Sequence, residues 1–147
     1  MQSLQINSIE HISSSNFKSY GKIIEYPKIE KKGHTRNLWR IIHTTSEKKG
    51  WRIAYLVLRD KSIGRLESHI NSDETLEPIS GKAILVVNTT KNHEDKKAFW
   101  LDKPVILFKG VWHGLISPKE EAHIKITENA TVTCKYLKLP SRINTKT

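Results

Sequence analysis

Glu67-Ser68-His69-Ile70-Asn71-Ser72-Asp73-Glu74, closed by Pro78-Ile79-Ser80-Gly81, alternates acid and imidazole at the period of two that a β-strand turns into one face. Glu67 and His69 therefore project together, and Glu74 returns from the following turn. Such a face is half of a metal or acid/base site. The other half is offered by Gly110-Val111-Trp112-His113, about forty residues later, where a glycine lets the backbone turn close to a ligand. The bland counterpart of this arrangement is a solvated, charged strand edge.

Outward from that stretch the chain reads as short β-rich segments punctuated by turns. Strands are expected at Lys22–Tyr26, Leu38–Thr44, Trp51–Leu58, Gly64–Ile70, Lys82–Thr89, Val105–Lys109, Ala122–Thr127 and Ala130–Leu139. Trp51–Leu58 is nearly all apolar and reads as a buried strand. One helix is expected, short and N-terminal, with a serine of Ser13-Ser14-Ser15 as its cap and Gly21 as its end. Strands at this spacing, with no repeat or linker, favour a single all-β barrel or jelly roll over residues 1–140. Residues 141–147 read as a disordered tail.

At 147 residues the chain can bury a sizeable core without a staple, and no apolar run approaches membrane-spanning length. The start lacks a basic segment followed by an apolar one, so a cytoplasmic location is expected. The single Cys134, in the alternating Thr131-Val132-Thr133-Cys134-Lys135-Tyr136, reads as a small buried apolar residue. The net charge of +10 raises the question of nucleic acid. Its clusters, Lys31-Lys32, Lys48-Lys49 and Lys96-Lys97, are scattered among loops without interleaved aromatics, so nucleic acid is not the expected partner. The same field would favour small anionic substrates.

Glu67-x-His69, four residues to Glu74 and six more to Gly81 resemble the first cupin motif with its leading histidine replaced by glutamate. Gly110-x-x-His113 resembles the core of the second, with Phe108 in place of the proline that precedes the glycine. Within the cupins the pattern is similar to the ureidoglycolate lyase family. Glu67, His69, Glu74, Pro78, Ser80-Gly81, Leu85-Val86-Val87 and Gly110-Val111-Trp112-His113 all have counterparts there, as does the opening Asn16-Phe17-Lys18-Ser19-Tyr20-Gly21-Lys22-Ile23-Ile24-Glu25. Glu74 stands where that family has glutamine, Gly114 where it often has a second histidine, and its Asn-x-Gly loop is not recognisable near Arg36-Asn37-Leu38.

The resemblance implies a cupin (RmlC-like) jelly roll in which Glu67, His69, Glu74 and His113 converge. Two imidazoles and two carboxylates suit one divalent transition metal, zinc, manganese, nickel or iron. They also suit metal-free acid/base work, with pKa values pushed apart by burial and mutual charge, or the site is a vestige. The implied reaction is elimination of urea from ureidoglycolate to give glyoxylate, with Glu67 or Glu74 as base and His69 or His113 as acid. Lys109 or Arg59 would hold the substrate carboxylate and Trp112 would wall the pocket, against the plainer readings of a surface lysine and a core tryptophan. Other metal-dependent cupin activities, a sugar isomerase, epimerase or dioxygenase, and a non-catalytic metabolite-binding cupin are the alternatives. Barrels of this type pair through edge strands, so a homodimer is expected. His11, His34, His43, His93 and His123 show no partnered pattern and read as surface or satisfied core residues.

Overall fold

The computed structural model describes residues 2–25, 43 and 50–146. Three short strands, β1 (Gln2–Gln5), β2 (Glu10–His11) and β3 (Gly21–Ile23), lead into β4 (Trp51–Leu58), β5 (Ser62–His69), β6 (Glu74–Ser80) and β7 (Ile84–Asn88). The chain then returns through β8 (Lys97–Trp100), β9 (Val105–Leu107), β10 (Trp112–Ile116) and β11 (Ala122–Asn129), and ends in β12 (Cys134–Lys146). The pairings are nested: β7 with β8, β6 with β9, β5 with β10 and β4 with β11, each antiparallel. Cross-pairs β7–β10 and β6–β11 roll this long hairpin into two facing sheets. That nesting is a jelly roll.

The first sheet runs β1-β12-β5-β10-β7-β8-β2 and the second β3-β9-β6-β11-β4. Between them lies one core, which includes Leu58, Leu76, Leu85, Val87, Phe99, Val105, Leu107 and Ile124. A second cluster covers the outer face of the first sheet, where Leu4, Ile6 and Ile9 pack with Leu66, Ile84, Val86, Trp112, Ile116 and Ile143. Covering both faces explains the unbroken run Ile84-Leu85-Val86-Val87: alternate residues serve alternate clusters, and all four are fully buried.

The expected helix is a single turn, α1 (Ser14–Phe17). Ser13 Oγ accepts from the Asn16 N–H, and Asn16 Oδ1 accepts from the Ser13 N–H, a reciprocal cap. Gly21 does not end this helix. It opens β3, where a Cβ would overlap the Ile106 carbonyl oxygen, so glycine is demanded by backbone approach.

Two further expectations are corrected. Trp51–Leu58 is a strand but not a buried one: Trp51, Ile53, Tyr55 and Val57 are exposed, and among the described residues β4 edges its sheet. Its apolar run is an inward row and an outward row superposed. Residues 141–146 are not a disordered tail, because β12 continues through them, paired with β1 in parallel and with β5, and Ile143 is fully buried. The expected strand Leu38–Thr44 lies outside the described residues apart from His43. No helix among the described residues is long and apolar enough to cross a membrane.

Candidate functional site

Strand parity assembles the site at one end of the barrel. On β5, Glu67 and His69 share the inward face, and Glu67 lies opposite His113 of β10 in register. Glu74 is the first residue of β6 in the facing sheet, so it points inward from the other side. Gly110 fixes how the two motif halves meet: its φ of 84° favours a residue without Cβ, and its N–H donates to the His69 carbonyl at 2.8 Å. All four residues named from the sequence are therefore brought together.

His69, Glu74 and His113 are buried, whereas the Glu67 side chain is 42% exposed. His113 Nδ1 lies 3.0 Å from the Val111 carbonyl, so its N–H donates there and Nε2 is left to face the acids. Nε2 is 2.8 Å from Glu74 Oε1 and 3.6 Å from Glu67 Oε1. The Glu74 contact is an ion pair in distance but not a directed hydrogen bond, because Glu74 Oε1 has no hydrogen-bond partner among the described residues. His69 Nδ1 stands 3.5 Å from Glu74 Oε2 and Nε2 stands 3.9 Å from Glu67 Oε1, and the two imidazoles meet edge to face at 5.1 Å.

Burial opposes charging of His113. The neighbouring Glu74 charge, with contacts from Glu67, Glu74 and the Val111 carbonyl, overrides it and pushes the imidazole up to about 10. The Glu67 carboxyl is held below its ordinary value, chiefly by His113 and against partial burial, so near neutrality it is a carboxylate.

Two residues that motif reading missed complete the site. Glu128, the penultimate residue of β11, pairs in register with both Glu74 of β6 and Arg52 of β4. Its Oε1 accepts from Arg52 Nε and Nη2 at 3.0 and 2.8 Å, and its buried Oε2 lies 3.5 Å from His69 Nδ1. The signal was in the alternation. The inward rows Arg52-Ala54-Leu56-Leu58 and Ala122-Ile124-Ile126-Glu128 are apolar except for one charge each, at the same end of the barrel. Cys134, expected to be buried, is exposed, because β12 edges past the barrel mouth there. It pairs with His69, and its sulfur comes within 4.8 Å of ligand atoms on Glu67 and His69. Desolvation, with the charges of Glu67, Glu128 and Glu74, pushes its thiol up.

The donor atoms fit a metal ion. Ligand atoms of His69, Glu74 and His113 lie within 4.8 Å of one another. His69 Nδ1, Glu74 Oε1 and Glu128 Oε2 are buried without hydrogen-bond partners among the described residues, and Glu74 and Glu128 face each other as like charges across β6 and β11. Buried carboxylates that face each other with oxygens lacking hydrogen bonds are costly unless a cation sits among them. Imidazole and carboxylate donors suit a divalent transition metal.

The residues expected to hold substrate are placed differently. Arg59 is exposed and paired with Glu121 on the outside. Lys109 is exposed on the turn before His113, its backbone N–H donating to Asp73 Oδ1. Trp112 has the opposite parity from His113 and is buried in the outer cluster, a core residue and not a pocket wall. A cleft of about 780 Å³ opens beside Glu67 and His113 instead, and none of these three lines it. Its walls include Arg65, Tyr136, Lys138 and Arg142.

No protein-family model matches the chain, and no curated protein matches it. Among solved structures it is similar to procruciferin, the 11S globulin of Brassica napus, at 12% identity over 58% of this chain and 22% of that one, with a TM-score of 0.49. It is similar to the TDP-quinovose 3,4-ketoisomerase of Campylobacter jejuni at 18% identity over 54% of this chain and 62% of that one, with a TM-score of 0.45. A mutant oxalate decarboxylase of Bacillus subtilis aligns at 17% identity over 62% of this chain and 24% of that one, with a TM-score of 0.47. The chain thus spans less than two thirds of the length of each. The fold assignment stands on this chain's own strands: the nested pairings make a jelly roll, with the two halves of the site meeting inside it.

Proposed function

We propose that the chain is a cupin-type enzyme acting on a small anionic hydroxy or ureido acid, with elimination of urea from ureidoglycolate as the specific reaction. The observation that carries this reading is the convergence of Glu67, His69, Glu74 and His113, with Glu67 alone among the acids reaching from the buried cluster into the cleft. His69, Glu74 and His113 would hold a divalent metal, with Glu128 behind His69. When bound, that metal polarises substrate oxygens.

Glu67 is the base. Its carboxylate takes the hydroxyl proton of ureidoglycolate as the C–O bond becomes a carbonyl and the C–N bond breaks. The same proton then passes to the departing urea nitrogen, so one group serves as base and acid. Glu74, buried and turned toward the imidazoles, is the poorer candidate for that role. The test is turnover: purified protein supplied in turn with zinc, manganese, nickel or iron should release glyoxylate and urea. Glu67→Gln should lower kcat by about 10²- to 10⁴-fold without loss of metal. No turnover with any of these metals would sink the reaction.

The size of the cleft favours a second reading. About 780 Å³ is far more than ureidoglycolate fills, and it suits a larger organic acid or an anionic sugar acted on by isomerisation or oxidation. Bound iron after purification would favour oxygen chemistry. Pairing with a second copy of the chain fits the β4 edge, where Trp51, Ile53, Tyr55 and Val57 form an exposed apolar row that a two-fold axis would set against itself.

A further inference from the structure

The mouth of the cleft carries a feature that neither the metal-ligand set nor its resemblance accounts for. Strands β5 and β12 run side by side with three inward pairs in register: His69 with Cys134, Glu67 with Tyr136, and Arg65 with Lys138. The first two rungs belong to the buried cluster and the base. The third sets two cations directly opposite each other, an arrangement that is destabilising in an antiparallel ladder unless something negative lies between them. Arg142 adds a third. Its Nε and Nη2 donate to Ser62 Oγ at 3.0 and 2.8 Å, which fixes the guanidinium on the same wall. Arg65 is braced as well, its guanidinium 4.1 Å above the Tyr136 ring.

Asp60 and Glu67 line the cleft too, yet among the described residues no acid forms an ion pair with Arg65, Lys138 or Arg142. Glu67 is directed at His113 and His69. Three cations that form no ion pair among the described residues, with Arg65 feeling only the longer-range charge of Glu67, two of them braced and all on the wall of a cleft that also holds the candidate base, make an anion subsite.

We propose that Arg65, Lys138 and Arg142 bind an oxyanion, phosphate or carboxylate, carried by the far end of a substrate whose reacting end lies at Glu67 and His113. The substrate is then an elongated molecule with an anionic tail. The position of the reacting end rests on the function proposed above; binding of the anion does not.

The full-length protein is titrated calorimetrically at low salt with pyrophosphate in one arm and glutarate in the other, which separates phosphate from carboxylate recognition. The double variant Arg65→Gln/Lys138→Gln should weaken the preferred probe at least tenfold while leaving metal content unchanged and the melting temperature no lower than that of the wild type. Lys119→Gln, an exposed lysine outside the cleft, should leave both probes unaffected. His113→Ala should lose metal yet keep the anion, so failure of the catalytic reading is separable from failure of the subsite. Equal binding in wild type and double variant, or no binding of either probe to wild type, overturns the proposal.

Discussion

Glu128 is held in two directions at once, by Arg52 on one oxygen and toward His69 with the other. If His69 serves as the ligand proposed above, a carboxylate 3.5 Å from its Nδ1 would orient the imidazole and tune it. Glu128→Gln keeps the shape and removes the charge, so it should weaken zinc or cobalt binding by about 10- to 100-fold in a direct titration while the fold persists. His113 gives a prediction in pH. In metal-free protein its pKa rises from the ordinary 6.5 to about 10, so the stabilisation it contributes is fully present below about 6.5 and is lost as pH rises through about 10. Denaturant midpoints of metal-free wild type and His113→Gln, compared at low and high pH, should converge at the alkaline end. Glu67, His69, Glu74 and His113 could be read from the chain because a period of two and a motif spacing are local properties. Glu128 and Arg52 each stand out as the one charge in an alternating row, but only the register of β4, β6 and β11 brings them to the same end as the motif residues. Trp112 shows the same limit in reverse: the residue next to His113 in sequence is, by parity, on the other side of the sheet.

Among the elements, the one-turn helix depends on its cap more than on propensity, because a single turn cannot hold itself. Ser13→Ala should cost about 1 kcal/mol by chemical denaturation. The terminal part of β12 is a stronger case: Ile143→Ala removes a fully buried side chain from the outer cluster and should cost about 2–5 kcal/mol. Most strands were legible because turn residues bracket them. The errors share a cause, which is that an apolar run says nothing of how many faces are covered. Ile84–Val87 is apolar because two clusters use it, whereas Trp51–Leu58 is apolar because one row meets the core and the other meets solvent. The end of the chain was misread for the converse reason. Ser141-Arg142-Ile143-Asn144-Thr145 is mostly polar, and only its pairing with β1 and β5 orders it.

For the whole molecule, the exposed row on β4 predicts association. Ile53→Asp, at the middle of the row, should shift a dimer to monomer in light scattering and leave the melting temperature of the monomer nearly unchanged; a wild type that is monomeric at working concentration would remove the basis for pairing. The parallel pairing of β1 with β12 has a different consequence, one concerned with time. Gln2 to Gln5 find their partners in Ile143 to Lys146, so a chain emerging from the ribosome exposes its first strand long before anything exists for it to pair with. The jelly roll can roll up from its innermost hairpin outward, but Leu4, Ile6 and Ile9 gain their full seat only when Ile143 arrives. Nascent chains halted before residue 134 should therefore remain open to protease around residues 2–9, and resistance there should appear only once β12 is released.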